Sequence, residues 1–417
     1  MGGGLIQLTN TGGQDIYLTG NPQITYFKIV YRRHTNFAME SIEQVNTGII
    51  GPGSEAIFNI LRNGDLMHKC TVEIPISDDM IDSNSPNNLG TAIFENISID
   101  IGGQRIDNHP GSYLEIYSEL SEPTNDLVLP HNPANGSLTI FNSEYQYLSC
   151  SGGVRNASDT FYVNDANYTW IDYTRYRQNI YIPLRFWFCN DVGLSLPLIA
   201  LQYSEIYINM NFTNLEGQSS LFTQLQNLKL YVDYIFLDTD ERRRFAQISH
   251  EYLIDTIQFN SIQNTANINS YNLDMNNPVK EIIWCGADND ISLWGLNGSF
   301  TNLSDKTTKW NIKLNNNDRM SLRNIDYYTN YQPYIYHTNR GAMLDINGSD
   351  SNAIAVYSFA LKPEEHQPSG TCNFSLIDRV TLYKDTMNVK PQYIYVFAVT
   401  YNILRIMSGI AGLAYNN

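Results

Sequence analysis

Charge is scarce in this chain. Of its 417 residues only 16% are Asp, Glu, Lys or Arg, against roughly 25% in ordinary soluble domains. What charge there is has mainly one sign, 26 basic residues against 42 acidic ones, for a formal net charge of −16. Gripping a phosphate backbone requires clustered Lys and Arg. The densest basic runs here are only Arg32-Arg33-His34 and Arg242-Arg243-Arg244, so no nucleic-acid partner is expected. The five cysteines (Cys70, Cys150, Cys189, Cys285, Cys372) are odd in number and scattered, with no Cys-x-x-Cys. Neither a zinc ribbon nor a disulfide framework is signalled, and free thiols in a reducing compartment are the expectation. The first residues show no basic stretch followed by an apolar core, and Ile6 stands where a myristoylation motif wants Ser or Thr. No apolar run nears the ~18 residues of a membrane span. The expectation is a protein made and kept on the cytosolic side.

Catalytic constellations are missing too. The seven histidines (His34, His68, His109, His131, His250, His337, His366) lie far apart and form no His-x-His pair. His250-Glu251 lacks a second His at helical spacing. Glu364-Glu365-His366 comes nearest to a metal cluster, but its setting between Lys362-Pro363 and Gln367-Pro368-Ser369-Gly370 reads as a solvated loop. There is no nucleophile elbow and no phosphate-binding loop. The reading is a protein without catalytic site, metal or cofactor.

The space left by charge is filled with Asn, Ser, Thr and Tyr, 29 of the last. Neutral polar surface suits protein–protein contact, because burying it needs hydrogen-bond partners and no unpaired charge. An AT-rich genome would account for the same composition equally well. Hydrophobic residues make up 42%, and the length exceeds a usual single domain, so two domains are expected.

Strand signals dominate the pattern. Ile97, Ile99 and Ile101 alternate with polar residues, and Gly102-Gly103 then turns the chain into Gln104-Arg105-Ile106, a hairpin signature. A second hairpin is read from Ile57-Phe58-Asn59-Ile60 through Arg62-Asn63-Gly64-Asp65 into Cys70-Thr71-Val72-Glu73-Ile74. Alternation recurs at Ile206, Ile208, Met210 and Phe212, and at Leu228, Leu230, Val232 and Tyr234. Many short strands with Asn, Gly and Pro between them indicate an all-β sandwich class. One segment differs: Asp238-Thr239-Asp240-Glu241-Arg242-Arg243-Arg244 opens with a capping box and sets acids before bases, as a helix dipole prefers. It predicts a short helical linker, with at least one of Arg242, Arg243 and Arg244 pairing across a domain junction.

The halves resemble each other. Ile99-Asp100-Ile101-Gly102-Gly103-Gln104-Arg105 has a counterpart at Ile312 to Arg319, and Ile180 to Leu184 has one at Val356 to Leu361, in the same order. One sandwich topology used twice is the implication. Long Asn-, Ser- and Pro-rich insertions are read at Glu119 to about Gln178, Gly286 to Lys309 and Tyr327 to Asn352; loops of such length are usually functional surfaces. They carry the sequons Asn135, Asn156, Asn167, Asn297, Asn302 and Asn347, which would bear glycans only through a pathway working on the cytosolic side. The uncharged tail Ile406 to Tyr415 is expected to bury itself against the base of the second domain or a neighbouring subunit.

Tyr17-Leu18-Thr19-Gly20-Asn21-Pro22-Gln23-Ile24-Thr25-Tyr26-Phe27-Lys28, continuing Val30-Tyr31-Arg32-Arg33-His34-Thr35-Asn36-Phe37, resembles the N-terminal signature of major capsid proteins of nucleocytoplasmic large DNA viruses, nearest the algal-virus branch. Further family blocks follow in order: Arg62 to Leu66, Ile101 to Asp107, Leu196 to Tyr203, Val232 to Asp238, His250 to Ile254, Gln367 to Ser375 and Tyr401 to Gly409. Leu376 stands where family members commonly carry Arg. The resemblance implies a double jelly roll, two eight-stranded antiparallel β-sandwiches joined by a short helical linker. It divides the chain into an arm (1–24), a first roll (25–238, with the insertion at about 119–178), a linker (239–250) and a second roll (251–417). It implies a non-enzymatic shell subunit whose homotrimers form pseudo-hexagonal capsomers, tiling an icosahedral virion over an internal membrane after assembly in the host cytoplasm. Implied partners are other copies of the chain, minor capsid proteins, the internal membrane and host-surface receptors. Arg32 and Arg33 join the three linker arginines as interface candidates. The alternatives are a minor paralogous capsid protein and a carbohydrate-binding jelly-roll surface protein.

Overall fold

Among the described residues, sixteen of the strands, eight in each half, repeat one wiring. The computed structural model describes residues 3–9, 12–75, 88–123, 127–128, 139–141, 143–149, 151, 179–214, 225–265, 268–290, 300–304, 307–339, 352–387 and 391–415. The first half supplies β1 (Phe37–Gln44), β2 (Glu55–Asn59), β3 (Leu66–Pro75), β4 (Phe94–Ile101), β5 (Gln104–Pro110), β6 (Asn179–Pro183), β7 (Ile206–Phe212) and β8 (Lys229–Leu237). They form two four-stranded antiparallel sheets in the orders β1-β8-β3-β6 and β2-β7-β4-β5. The second half supplies β9 (His250–Gln263), β10 (Ser270–Leu273), β11 (Pro278–Ala287), β12 (Lys309–Leu314), β13 (Asn317–Asp318), β14 (Ile354–Ser358), β15 (Val380–Lys384) and β16 (Tyr393–Met407). Their orders are β9-β16-β11-β14 and β10-β15-β12-β13. Each strand of the second half thus sits where its counterpart eight strands earlier sits in the first. This is the jelly-roll arrangement, twice over.

The matching turns share their physics as well. Gly102 and Gly103, between β4 and β5, take φ of 60° and 82°; Asn315 and Asn316, between β12 and β13, take 50° and 63°. Two successive left-handed residues make the two-residue hairpin turn whose twist matches that of the strands. Gly and Asn are the residues that reach that region at least expense. The other repeat pair read from the sequence falls on β6 and β14, again equivalent positions.

The expected hairpin from Ile57 to Ile74 is not formed. β2 pairs with β7, whereas β3 pairs with β8 and β6. Ala56 and Phe58 on one side, and Cys70, Val72 and Ile74 on the other, bury their alternating faces in the same core. Two strands that face each other across a core cannot also share a ladder, so Arg62–Asp65 carries the chain from one sheet to the other. Two expected loops are also corrected. Tyr327–Tyr331 and α3 (Gln332–Tyr336, numbered after the two helices below) are helical, because Tyr328 is driven into the second core and its hydroxyl donates to Trp310 O at 3.1 Å. Within the insertion read from Glu119, Glu119 itself lies in helix α1 (Gly111–Leu120), and a helix at Glu144–Ser149 buries Tyr145 and Gln146.

Between the halves, α2 (Thr239–Gln247) occupies the linker, with Asp238 Oδ1 accepting from Thr239 N–H at 2.8 Å. Residues 1–36 form a separate compact unit. It holds short helices at Gly3–Thr9 and Ile16–Thr19, and Asp15 closes its turn by accepting from Gly12 N–H at 2.7 Å.

The sheet β9-β16-β11-β14 explains the longest apolar runs. Ile282, Trp284, Ala355, Tyr357, Ile394, Val396 and Ala398 point into the second sandwich. Their neighbours Ile283, Cys285, Ile354, Val356, Tyr395, Phe397 and Val399 point the other way and pack on Tyr113, Ile116 and Leu120 of α1. A sheet covered on both faces needs apolar residues at successive positions rather than alternate ones. Hence Ile282-Ile283-Trp284-Cys285 and Tyr395-Val396-Phe397-Ala398-Val399. Burial of this apolar surface, at ~25 cal/mol per Å², favours holding the two halves together.

Candidate functional site at the junction of the two sandwiches

A shell subunit works through how its parts are joined, and the joint here is unusually charged for so uncharged a chain. Asp107, in the middle of β5, is almost fully buried. Its carboxylate accepts from Ile257 N–H of β9 at 3.0 Å and from Asn108 N–H at 2.9 Å, and lies 2.8 Å from His109 Nε2. One carboxylate therefore stitches the first sandwich to the backbone of the second. His109 stacks on Phe186 with ring centroids 4.7 Å apart.

Around α1 lies a cavity of about 440 Å³, lined among others by Tyr117, Arg185, Asp255, Lys280, Glu281 and His337. Its charges come in pairs. Lys280, 2% exposed, reaches Asp255 at 3.0 Å and lies 4.9 Å from the Tyr401 ring centroid. Arg185 pairs with Glu122 and is held between the Tyr117 and Tyr145 rings at 4.7 and 4.6 Å. His337 lies 3.0 Å from Glu281 and 2.9 Å from Glu364. Burial pushes the Asp255 and Glu122 carboxyls up, against the opposing pull of Lys280 and Arg185. No nucleophile stands beside a free base in this set. Among the described residues no group of three or more His, Cys, Asp and Glu could hold a metal ion.

The C-terminal hairpin closes the other side. β17 (Ile410–Leu413) pairs with β16, and the turn at Ser408-Gly409 lies on the first sandwich. Tyr203 N–H donates to Gly409 O at 3.0 Å, Ala411 N–H to Ser204 Oγ at 3.2 Å, and Leu413 N–H to Gln104 Oε1 at 3.4 Å. The tail therefore pairs with β16 of the second roll and rests its turn on the first, with Ile406 and Ala411 buried and Met407, Ile410 and Tyr415 exposed. Apolar Ile406 and Ala411 complete a core that first-half residues dominate, which drives this placement.

Of the residues singled out from sequence, Arg242 donates to Asp65 Oδ1 at 2.8 Å, while Asp65 Oδ2 accepts from Leu237 N–H at 2.9 Å. Arg243 and Arg244 are exposed and form no ion pair among the described residues. Arg32 and Arg33 lie exposed in the separate unit of residues 1–36. Asn302 is exposed, its Oδ1 accepting from Asn352 N–H at 2.9 Å; Asn135, Asn156, Asn167, Asn297 and Asn347 fall outside the described residues. Cys70, Cys189 and Cys285 are buried free thiols and Cys372 is a half-buried one. Leu376 is exposed at the surface. Glu364 lies in the exposed loop from Leu361 to Gly370 and pairs from there with His337.

The buried ion pairs escaped the sequence reading. One signal was there: Lys280-Glu281 interrupts the apolar run from Val279 to Ile283, and Asp255 interrupts Leu253 to Ile257. Charges on strands of this kind need partners. Which partners they find is set by segments far away in the chain.

Comparison with known proteins adds a separate line. Residues 25–238 match the family described as major capsid protein N-terminus, and residues 241–412 match the large eukaryotic DNA virus major capsid protein. The major capsid protein of Pyramimonas orientalis virus is 40% identical, with the whole of both chains covered. The chain belongs to the major capsid protein family of large eukaryotic DNA viruses. The major capsid protein of Paramecium bursaria Chlorella virus 1 is 33% identical, again over the whole of both chains. The solved PBCV-1 virus capsid superposes with a TM-score of 0.71 at 29% identity, covering 94% of this chain and 100% of that one. The Faustovirus major capsid protein shares the fold, with a TM-score of 0.63 at 13% identity over 95% and 94% of the two chains. The protein is therefore a structural, non-enzymatic component of the virion that associates with itself in the capsid lattice.

Proposed function

We propose that three copies of this chain associate into a capsomer of pseudo-hexagonal outline, and that such capsomers tile an icosahedral shell over an internal membrane. The repeated jelly-roll wiring carries this reading: three chains, each with two equivalent sandwiches, present six similar blocks around one axis. The chain reads as an arm (1–24), a first roll (25–238), a linker (239–250) and a second roll (251–417), with Arg32, Arg33 and Arg242–Arg244 at interfaces. Sequon-bearing loops would face outward, toward host-surface receptors. Assembly in the host cytoplasm and contacts with minor capsid proteins and the membrane complete the proposal. Light scattering on purified protein tests it: a species of three times the 47.5 kDa chain mass is expected, and a monodisperse monomer at micromolar concentration refutes it.

A further inference from the structure

His337 lies just past α3 with its side chain 1% exposed; Nδ1 is hydrogen-bonded to Glu364 at 2.9 Å, and Nε2 lies within ion-pair distance of Glu281 at 3.0 Å, out of line for a hydrogen bond. A neutral imidazole has one donor and one acceptor nitrogen. Either neutral tautomer would set an unprotonated ring nitrogen within 3.0 Å of a carboxylate oxygen, a repulsion that the imidazolium turns into attraction. The two carboxylates belong to different segments, β11 and the loop after Leu361. The same few residues reach the first sandwich. Thr338 donates to Glu364 Oε2 through its N–H at 3.0 Å and its hydroxyl at 2.5 Å, and Asn339 N–H donates to Leu120 O, in the last turn of α1, at 2.8 Å.

We propose that His337 is a charge-dependent latch at the junction: as imidazolium it binds Glu281 to Glu364 and holds the 337–339 segment on α1, and on losing its proton it releases that contact.

Among the described residues no neighbouring cation replaces it; His366, on the same loop as Glu364, lies toward Asp255. Lys280, adjacent on β11, is committed to Asp255 of β9, and Arg185 to Glu122. Lys69 lines the same cavity from β3 but lies exposed at its edge. His109, also in the cavity wall, is taken up by Asp107. The phenols of Tyr113 and Tyr117 face the cavity from α1, and burial pushes both up, so they stay neutral. An unprotonated His337 would therefore leave the buried Glu281 carboxylate without a counter-ion, a strongly unfavourable state. Burial alone would pull the His337 pKa down, but Glu281 and then Glu364 outweigh it and lift it to about 9. For a histidine raised in the folded state, the stabilisation is complete below its ordinary value of 6.5 and is lost as pH rises through about 9. The latch is closed in acid and at neutrality, and alkali opens it.

Hydrogen–deuterium exchange on the full-length protein, corrected for the intrinsic pH dependence of amide exchange, tests this from pH 7 to pH 10. Peptides spanning 111–120 and 332–339 should lose protection with a midpoint near 9, while peptides from β12 and β15 keep theirs. His337→Gln should show the open level of exchange already at pH 7 and no further transition. Glu364→Gln, at the rim of the cavity, serves if that variant does not fold; it removes one of the two carboxylates and should move the midpoint down by about one pH unit. Unchanged protection to pH 10, a wild-type transition in His337→Gln, or an unmoved midpoint in Glu364→Gln would each overturn the latch.

Discussion

Truncating Asp107 to Ala measures how much one carboxylate contributes to joining the two sandwiches. The side chain is 1% exposed and serves three groups: Ile257 N–H at 3.0 Å, Asn108 N–H at 2.9 Å and His109 Nε2 at 2.8 Å. Asn108 is half-exposed and can turn to water. Ile257 and His109 are buried and cannot. Leaving a buried donor unsatisfied costs about 1–3 kcal/mol, and two donors, the Ile257 amide and the His109 ring, lose this acceptor. The two losses share one carboxylate and do not add in full, so about 2–4 kcal/mol is expected, some one and a half to three orders of magnitude in equilibrium terms. Asp107→Asn keeps an acceptor for Ile257 and forfeits the anionic partner of His109, and should lose about half as much. Denaturant unfolding gives the totals, and exchange at the Ile257 amide assigns the loss to the junction. An Asp107→Ala protein within ~0.5 kcal/mol of wild type, the scatter of neutral surface changes, would show that apolar packing on α1 alone joins the halves.

Two other substitutions separate geometry from mere presence. Arg242 is 53% exposed and its partner Asp65 only 5%, so Arg242→Ala should destabilise by under ~1 kcal/mol, whereas Asp65→Ala, which also strands Leu237 N–H, should reach ~2–3 kcal/mol; equal effects in thermal melts would contradict this. Gly409 has φ of 83°, and a Cβ there would sit 2.5 Å from the Tyr203 ring, so Gly409→Ala should cost ~2 kcal/mol or more, partly recovered by adding Tyr203→Ala. A melt unchanged by Gly409→Ala would mean that the C-terminal turn does not dock on the first sandwich.

The sequence determined the class of the protein and much of its wiring on its own. Period-two burial at Ile206 to Phe212, the paired glycines at 102–103 and the paired asparagines at 315–316 act locally, over a few residues, and the structure realises them where the sequence placed them. Family blocks spread along the chain carried the rest of that reading. Tertiary structure alone decided three things. Whether Ile57–Ile60 and Cys70–Ile74 pair or face each other depends on where β7 and β8 insert, more than about 150 residues later, and no local pattern encodes that. The continuous apolar run Tyr395 to Val399 is ambiguous until α1 is seen covering the second face of its sheet. The junction charges are the clearest case: Lys280 and Asp255, Asp107 and Ile257, His337 and Glu281 are separated by long stretches of chain, and a buried charge is tolerable only where folding delivers its partner.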